Sequence, residues 1–253
     1  LDKDIVINKN YHFSKNKKLI IKEGTNIDIL NDSLITSEGS ILFEGTEKNP
    51  ITIKSSDGKG SLILSHNKYI INFVKFENLS YPKDKSKILH GGLNVINSDL
   101  EIINSEVKSS NGEDGINIVS SMSLIQNLKA SNIKSDAIDI DFGKLKFDNI
   151  YCENILNDCL DVSGSYVEGE NLVANKVLDK GLSFGENSIG TISKTSFKNN
   201  KLGVAVKDGS KLELIDSQLI DNDFDIAVFN KKKEYEGSTL KLNIVNNLDQ
   251  LNI

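Results

Sequence analysis

From Glu113 onward the apolar positions return every 22 residues in the same frame, while the polar residues between them change. The segments read EDGINIV from Glu113, SDAIDID from Ser135, NDCLDVS from Asn157, LDKGLSF from Leu178 and KLGVAVK from Lys201. Their aligned anchors are Ile116, Ile138, Leu160, Leu182 and Val204. Within each copy the apolar residues alternate, as in Ile138 and Ile140, Leu160 and Val162, Leu182 and Phe184, and Val204 and Val206. Period two means a strand with one buried face. A fixed repeat of this length means a solenoid, in which each unit buries its apolar face against its neighbours. The pattern therefore predicts an all-β fold, a single-stranded parallel β-helix of coils about 22 residues long.

The same alternation organises the rest of the chain. Residues 1–60 carry β-rich pieces, DIVINKN, KLIIKEGTNIDIL, SILFEGT and PITIKSS, separated by Asn and Asp turn signals; they read as irregular capping coils. YPKDKS at Tyr81–Ser86 reads as a protruding loop. Regular coils span 91–230, with Leu93 lying 23 residues before Ile116 and DIAVFNKK at Asp225 continuing one residue out of step. The charged run KKKEYE at Lys231–Glu236 is an exposed loop or a functional rim, and STLKLNIV is expected to form a last strand pair within 231–253. The whole of 1–253 thus reads as one β-helix domain. A second strand recurs with stacked asparagines: Asn127, Asn149 and Asn171, Asn132 and Asn154, and Asn200 and Asn222. Asparagine tolerates the left-handed backbone of tight turns, and its amides can bond along the stack.

Composition adjusts this picture little. Hydrophobic content of 38% suits narrow coils with polar outer faces, and two prolines leave no obvious linker. The formal charge is −6, and every one of the 30 basic residues is lysine, so no basic stripe for nucleic acid is expected. No stretch of about 18 apolar residues exists to span a membrane. The chain starts at Leu1 rather than Met, which reads as a processed form or an excised piece. Cys152 and Cys159 are the only cysteines. Cys159 shares a small-residue column with Gly115, Ala137, Gly181 and Gly203, so it is expected to be a packed core thiol rather than a disulfide partner.

Strand parity places the candidate chemistry. If Ile138 and Ile140 point inward, Asp139 and Asp141 point outward. One outward column then holds Asn117, Asp139, Asp161, Ser183 and Ala205, and the next holds Val119, Asp141, Ser163, Gly185 and Lys207. The turn before the strand supplies Asp114, Asp136, Asp158, Lys180 and Leu202. Columns in a parallel stack step by about 4.8 Å per coil, so these aspartates share a patch with Lys180 and Lys207 beyond it. Their mutual repulsion calls for a bound cation, lysine pairing or raised pKa values. Calcium is the natural cation for such oxygen donors, with Asp139, Asp141 and Asp161 as its ligands. Glu186 and Asp208 sit late in the strand and read as turn residues. His12, His66 and His90 precede the regular coils, and none is expected in the patch itself, with a loop contact by His90 left open.

The motifs SDAID, NDCLDV, DKGLSFG and GVAVK resemble, in order and spacing, the polygalacturonase series NTDGID, DDC, GHG and RIK. That resemblance extends to the broader right-handed β-helix superfamily of pectate lyases and alginate lyases and epimerases. It implies action on polysaccharides, and it matches Asp136 and Asp158 to catalytic aspartates. Asn157, Lys180 and Ala205 stand where polygalacturonases carry an aspartate, a histidine and an arginine, which points away from galacturonan hydrolysis. The phrases SDAIDIDF, NDCLDVSGS, DKGLSFGENS and VKDGS are similar to the β-helix domain that accompanies CotH-kinase-like domains in bacterial surface or secreted proteins. This second resemblance covers about residues 20–235 and implies a secreted, periplasmic or cell-surface location and a larger multidomain chain.

Two readings stay open. In the first, the chain acts on an acidic, uronic-acid polysaccharide by lyase or C5-epimerase chemistry. Calcium on Asp139, Asp141 and Asp161 would neutralise the sugar carboxylate, Lys180 or Lys207 would take the adjacent proton, and Asp136 or Asp158 would orient that base. Asp139, Ser163 and Ser183 would hold the sugar. In the second, the chain is a non-catalytic glycan-binding or scaffold module.

Overall fold

The computed structural model describes residues 3–83 and 89–244. Every pairing within it is parallel, and the described strands fall into two sheets, one of fifteen strands and one of ten. The ten-stranded sheet contains the repeated segments, among them the strands Gly91–Ile96, Asp114–Val119, Asp136–Asp141, Leu160–Ser163, Lys180–Gly185, Leu202–Lys207 and Phe224–Phe229. The fifteen-stranded sheet takes the return half of each coil, as in the long strands Met122–Ile133, Lys144–Ile155 and Tyr166–Val177.

The 22-residue period becomes the inter-coil register. Ile116 lies beside Ile138, Ile138 beside Leu160, Leu160 beside Leu182 and Leu182 beside Val204. These anchors and Ile118, Ile140, Val162, Phe184 and Val206 are buried, and they meet the inward residues of the other sheet in one continuous core. Each fully buried side chain of this kind stabilises the fold by about 1.5–3 kcal/mol. Size is matched between coils: Gly169 stands beside Phe147, and a Cβ there would fall 2.2 Å from the Phe147 ring. At the N-terminal end, Ile7, Phe13, Ile21, Ile41 and Phe43 line an apolar cavity of about 250 Å³.

The turns explain the asparagines. Asn127, Asn149 and Asn171 have φ of 55°, 63° and 61°, the left-handed region where asparagine is favoured. Their amides form the expected ladder, Asn149 Nδ2 donating to Asn127 Oδ1 and Asn127 Nδ2 to Asn104 Oδ1, both at 2.9 Å. Asn171 departs from it and donates to Asp148 Oδ1 at 2.8 Å.

Three expectations are corrected. The strand Phe224–Phe229 is in step, with Ile226 beside Val204 as Val204 is beside Leu182, because the 22-residue offset is kept. The C-terminal segment contributes one described strand, Thr239–Ile244, and not a pair. Cys152 and Cys159 form a disulfide with Cα atoms 5.8 Å apart. Cys159 does occupy the small-residue column, but Cys152 lies in another, between Ala130 and Ala174, and the two columns face each other across a corner of the coil. Tyr81–Lys83 carry no strand, and the remainder of the expected loop lies outside the described residues. Lys231–Glu236 is a loop, tied down where Asp208 Oδ1 accepts the N–H groups of Lys231 and Lys232 at 2.7 and 2.8 Å.

Candidate functional site: a carboxylate face on the ten-stranded sheet

Register assembles the outward columns as the alternation predicts. Asp139 lies between Asn117 and Asp161, and Ser183 follows Asp161; Asp141 lies between Val119 and Ser163, with Gly185 next. Asn117 Nδ2 donates to Asp139 Oδ2 at 3.0 Å. Lys207 reaches back across two coils: its Nζ donates to Ser183 Oγ at 2.7 Å and stands 3.8 Å from Asp161 Oδ1. Gly185 makes this possible, since a Cβ there would fall 2.7 Å from Lys207 Cε. The stem is consequently packed down, and Lys207 is buried on a face expected to be wet.

Asp114, Asp136 and Asp158 differ from expectation. They read as exposed turn residues, yet all three are buried. Asp114 and Asp136 open their strands, and the carboxylates knit consecutive coils. Asp136 Oδ1 accepts Asn157 Nδ2 at 2.6 Å and the backbone N–H of Asp158 at 2.7 Å. Asp158 Oδ1 accepts the N–H of Lys180 at 3.0 Å and its Nζ at 3.2 Å. Lys180 Nζ also pairs with Asp179, which in turn faces Lys201 Nζ at 3.4 Å. Asp114 Oδ2 and Asp161 Oδ1 are buried without a hydrogen-bond partner.

Electrostatics follow from burial and crowding. Desolvation first, then repulsion from Asp139 and Asp136, pushes Asp114 up to about 9. Desolvation and Asp158 raise Asp136 to about 7; desolvation and Asp141 raise Asp139 to about 8. Asp158 rises to about 6 through desolvation and Asp161, with Lys180 opposing. Asp141 is also raised, by desolvation and then Asp161. Burial alone would lower Lys180, but Asp158 and Asp179 outweigh it and hold the ammonium above its ordinary value. Lys180 is therefore a fixed cation at neutral pH.

One neighbour escapes sequence reading. His90 Nδ1 is hydrogen-bonded to Glu113, beside Asp114, and a positive His90 favours the ionised form of Asp141. The histidine expected outside the patch borders it. Among the described residues no three His, Cys, Asp or Glu side chains are gathered as a ready-made metal cage. Asp139, Asp141 and Asp161 nevertheless offer only oxygen donors, one of them Asp161 Oδ1, which has no hydrogen-bond partner and pairs with Lys207 Nζ at 3.8 Å. Asp208 and Glu186 serve the turn, as expected: Asp208 caps the Lys231 loop and Glu186 pairs with Lys232.

No curated protein matches the chain in sequence. Among solved structures it is similar to the periplasmic alginate epimerase AlgG, at 11% identity and a TM-score of 0.50, over 94% of this chain and 73% of that one. It also aligns with the mannuronan C-5 epimerase AlgE4 A-module of Azotobacter vinelandii (11% identity, TM-score 0.41, 96% and 86% covered). A third match is pectate lyase Pel9A (13% identity, TM-score 0.37, 89% and 70% covered). At these identities the likeness concerns the fold. A family described as the right-handed beta helix region matches residues 91–248, the stretch that carries both the regular coils and the carboxylate face. The chain belongs to the right-handed β-helix family.

Proposed function

We propose that the carboxylate face binds an acidic polysaccharide and that the chain acts on it by uronate lyase or C5-epimerase chemistry. The observation that carries this reading is that register brings the half-buried Asp139, Asp141 and Asp161 together on one face, bordered by the buried Lys207 and Ser183. Calcium held by the three aspartates would bridge them to the sugar carboxylate and make the adjacent C–H acidic. Ser163 would bond sugar hydroxyls, whereas the expected sugar contact Ser183 is buried and accepts from Lys207 Nζ, so it would hold that lysine instead. Lys180 stays charged between Asp158 and Asp179, so the role of base falls to Lys207, and Lys180 contributes its field. Asp136 and Asp158 then act by positioning, through the backbone and Lys180. The alginate epimerase likeness is in keeping with this substrate class.

A second reading, a non-catalytic glycan-binding or scaffold module, is favoured by the same ion pairs, since Asp136, Asp158 and Lys180 all have structural work. In either case the buried disulfide agrees with a secreted, periplasmic or cell-surface location. Among the described residues no helix is long and apolar enough to cross a membrane.

The deciding experiment is an ultraviolet assay for unsaturated uronate on a panel of acidic polysaccharides, with and without calcium, alongside proton NMR for epimerised product. Turnover that needs calcium and disappears in Lys207→Met supports the enzyme. Binding without turnover establishes the module, and neither binding nor turnover removes the polysaccharide reading.

A further inference from the structure

We propose that Phe142 is a stacking platform for a pyranose ring at the edge of the carboxylate face; this rests on the polysaccharide reading above. Phe142 follows Asp141 directly, in the turn that ends the strand Asp136–Asp141. Its equivalents in neighbouring coils are Asn97, Ser120, Gly164, Glu186 and Asp208. The whole column is left-handed, with φ of 48°, 50°, 54°, 59°, 60° and 55° from Asn97 to Asp208. Asparagine and glycine suit that backbone, and a bulky aromatic does not. Phe142 gains no burial in return, because it is 64% exposed. A strained backbone carrying an exposed ring is a feature that the fold does not require.

The ring is also held in place. A Cβ on Gly164 would fall 2.7 Å from Phe142 Cδ1 and 2.9 Å from Cε1, so the ring lies against the bare glycine of the next coil. That contact covers one side and leaves the rest open to solvent. Next to it in register stand Asp141 and its partner Ser163, with the Asp139–Asp161 pair two positions further along the strand. A ligand seated here meets an apolar surface under one face and hydrogen-bonding groups along its edge. A pyranose has that division, with C–H bonds on its face and hydroxyls around its rim.

The chain has no tryptophan, so Phe142→Trp places a single tryptophan at the platform, excited selectively at the red edge beyond tyrosine absorption. Phe142→Asn installs the residue that the same column already uses at Asn97, and it should fold with an equal or higher melting temperature. Acidic and neutral oligosaccharides are titrated by calorimetry with calcium present. The expected result is wild-type affinity and a saturable shift in emission for Phe142→Trp, with binding about tenfold weaker for folded Phe142→Asn. Undiminished binding by Phe142→Asn, or static tryptophan emission while binding proceeds, overturns the platform and leaves the polysaccharide reading standing. A Phe142-dependent preference for neutral sugars keeps the platform and removes the uronate. No binding by the wild type to any sugar removes both.

Discussion

Asp136 Oδ1 accepts the backbone N–H of Asp158 at 2.7 Å, and one coil further on Asp158 Oδ1 accepts that of Lys180 at 3.0 Å. The carboxylates thus substitute for a carbonyl where a strand begins, and the two positions should respond differently to substitution. Asp136→Asn keeps an acceptor oxygen and sheds a repulsive charge, so it should change stability by no more than about 1 kcal/mol. Asp158→Ala leaves both the Lys180 amide and its ammonium short of a partner and should cost about 2–4 kcal/mol. Urea denaturation of both variants decides the matter; equal losses would mean that the ladder is not what joins these coils.

Stability should fall as pH rises across the neutral range. Asp158, Asp136, Asp139 and Asp114 have folded-state values of about 6, 7, 8 and 9. The unfolded chain titrates its aspartates near 3.9, so the native state binds more protons over the interval between. Their contribution is complete below the unfolded value and is lost stepwise as pH rises through the folded ones. The melting temperature should be higher at about pH 5 than at about pH 9, where Asp158, Asp136 and Asp139 are ionised and Asp114 is partly so. A curve rising from acid to base would refute the crowded-carboxylate account.

Calcium should reverse that loss. At about pH 9, with Asp139 ionised, a cation on Asp139, Asp141 and Asp161 relieves the repulsion, and saturation at 100 times its dissociation constant stabilises by about 2.7 kcal/mol. The thermal shift should shrink at about pH 5, where protons compete, and vanish in Asp139→Asn/Asp161→Asn. A shift that survives in the double variant would place the ion elsewhere.

The disulfide should matter more than its short loop suggests to the eye. Cys152 and Cys159 are 7 residues apart and wholly buried. Closing so short a loop stabilises by about 2–3 kcal/mol in the chain-entropy account. Cys152→Ala/Cys159→Ala should lose about that much, unfold at lower urea, and show no further change with reductant. A double variant as stable as the parent would show that packing alone holds the corner.

The coil period, the inward anchors and the outward columns were legible because one repeat states them five times over. What stayed hidden lies where parity loses its meaning. Asp114 and Asp136 stand at the junction of turn and strand, where alternation cannot tell a wet turn from a covered edge, and the structure buries both. The Cys152–Cys159 bond was obscured because each cysteine fits its own small-residue column, and only the corner brings the columns together. His90 precedes the first regular coil, and its position beside Glu113 depends on the 23-residue offset of that coil. Phe142 gave no sequence signal: the cost of its backbone shows only in φ.

The register between coils has an evolutionary corollary. Because the coils around Asp114–Ser163 meet residue for residue at an offset of 22, a deletion of that length there can rejoin strands without changing which positions face inward. Excising residues 120–141 would bring Asn117 beside Asp161 and remove Asp136, Asp139 and Asp141 together, while Ile116 would meet Leu160. Duplication of the same unit would lengthen the face by one row. Lineages that gain or lose whole coils can therefore redraw the polar surface in discrete steps, with the core indifferent to the change.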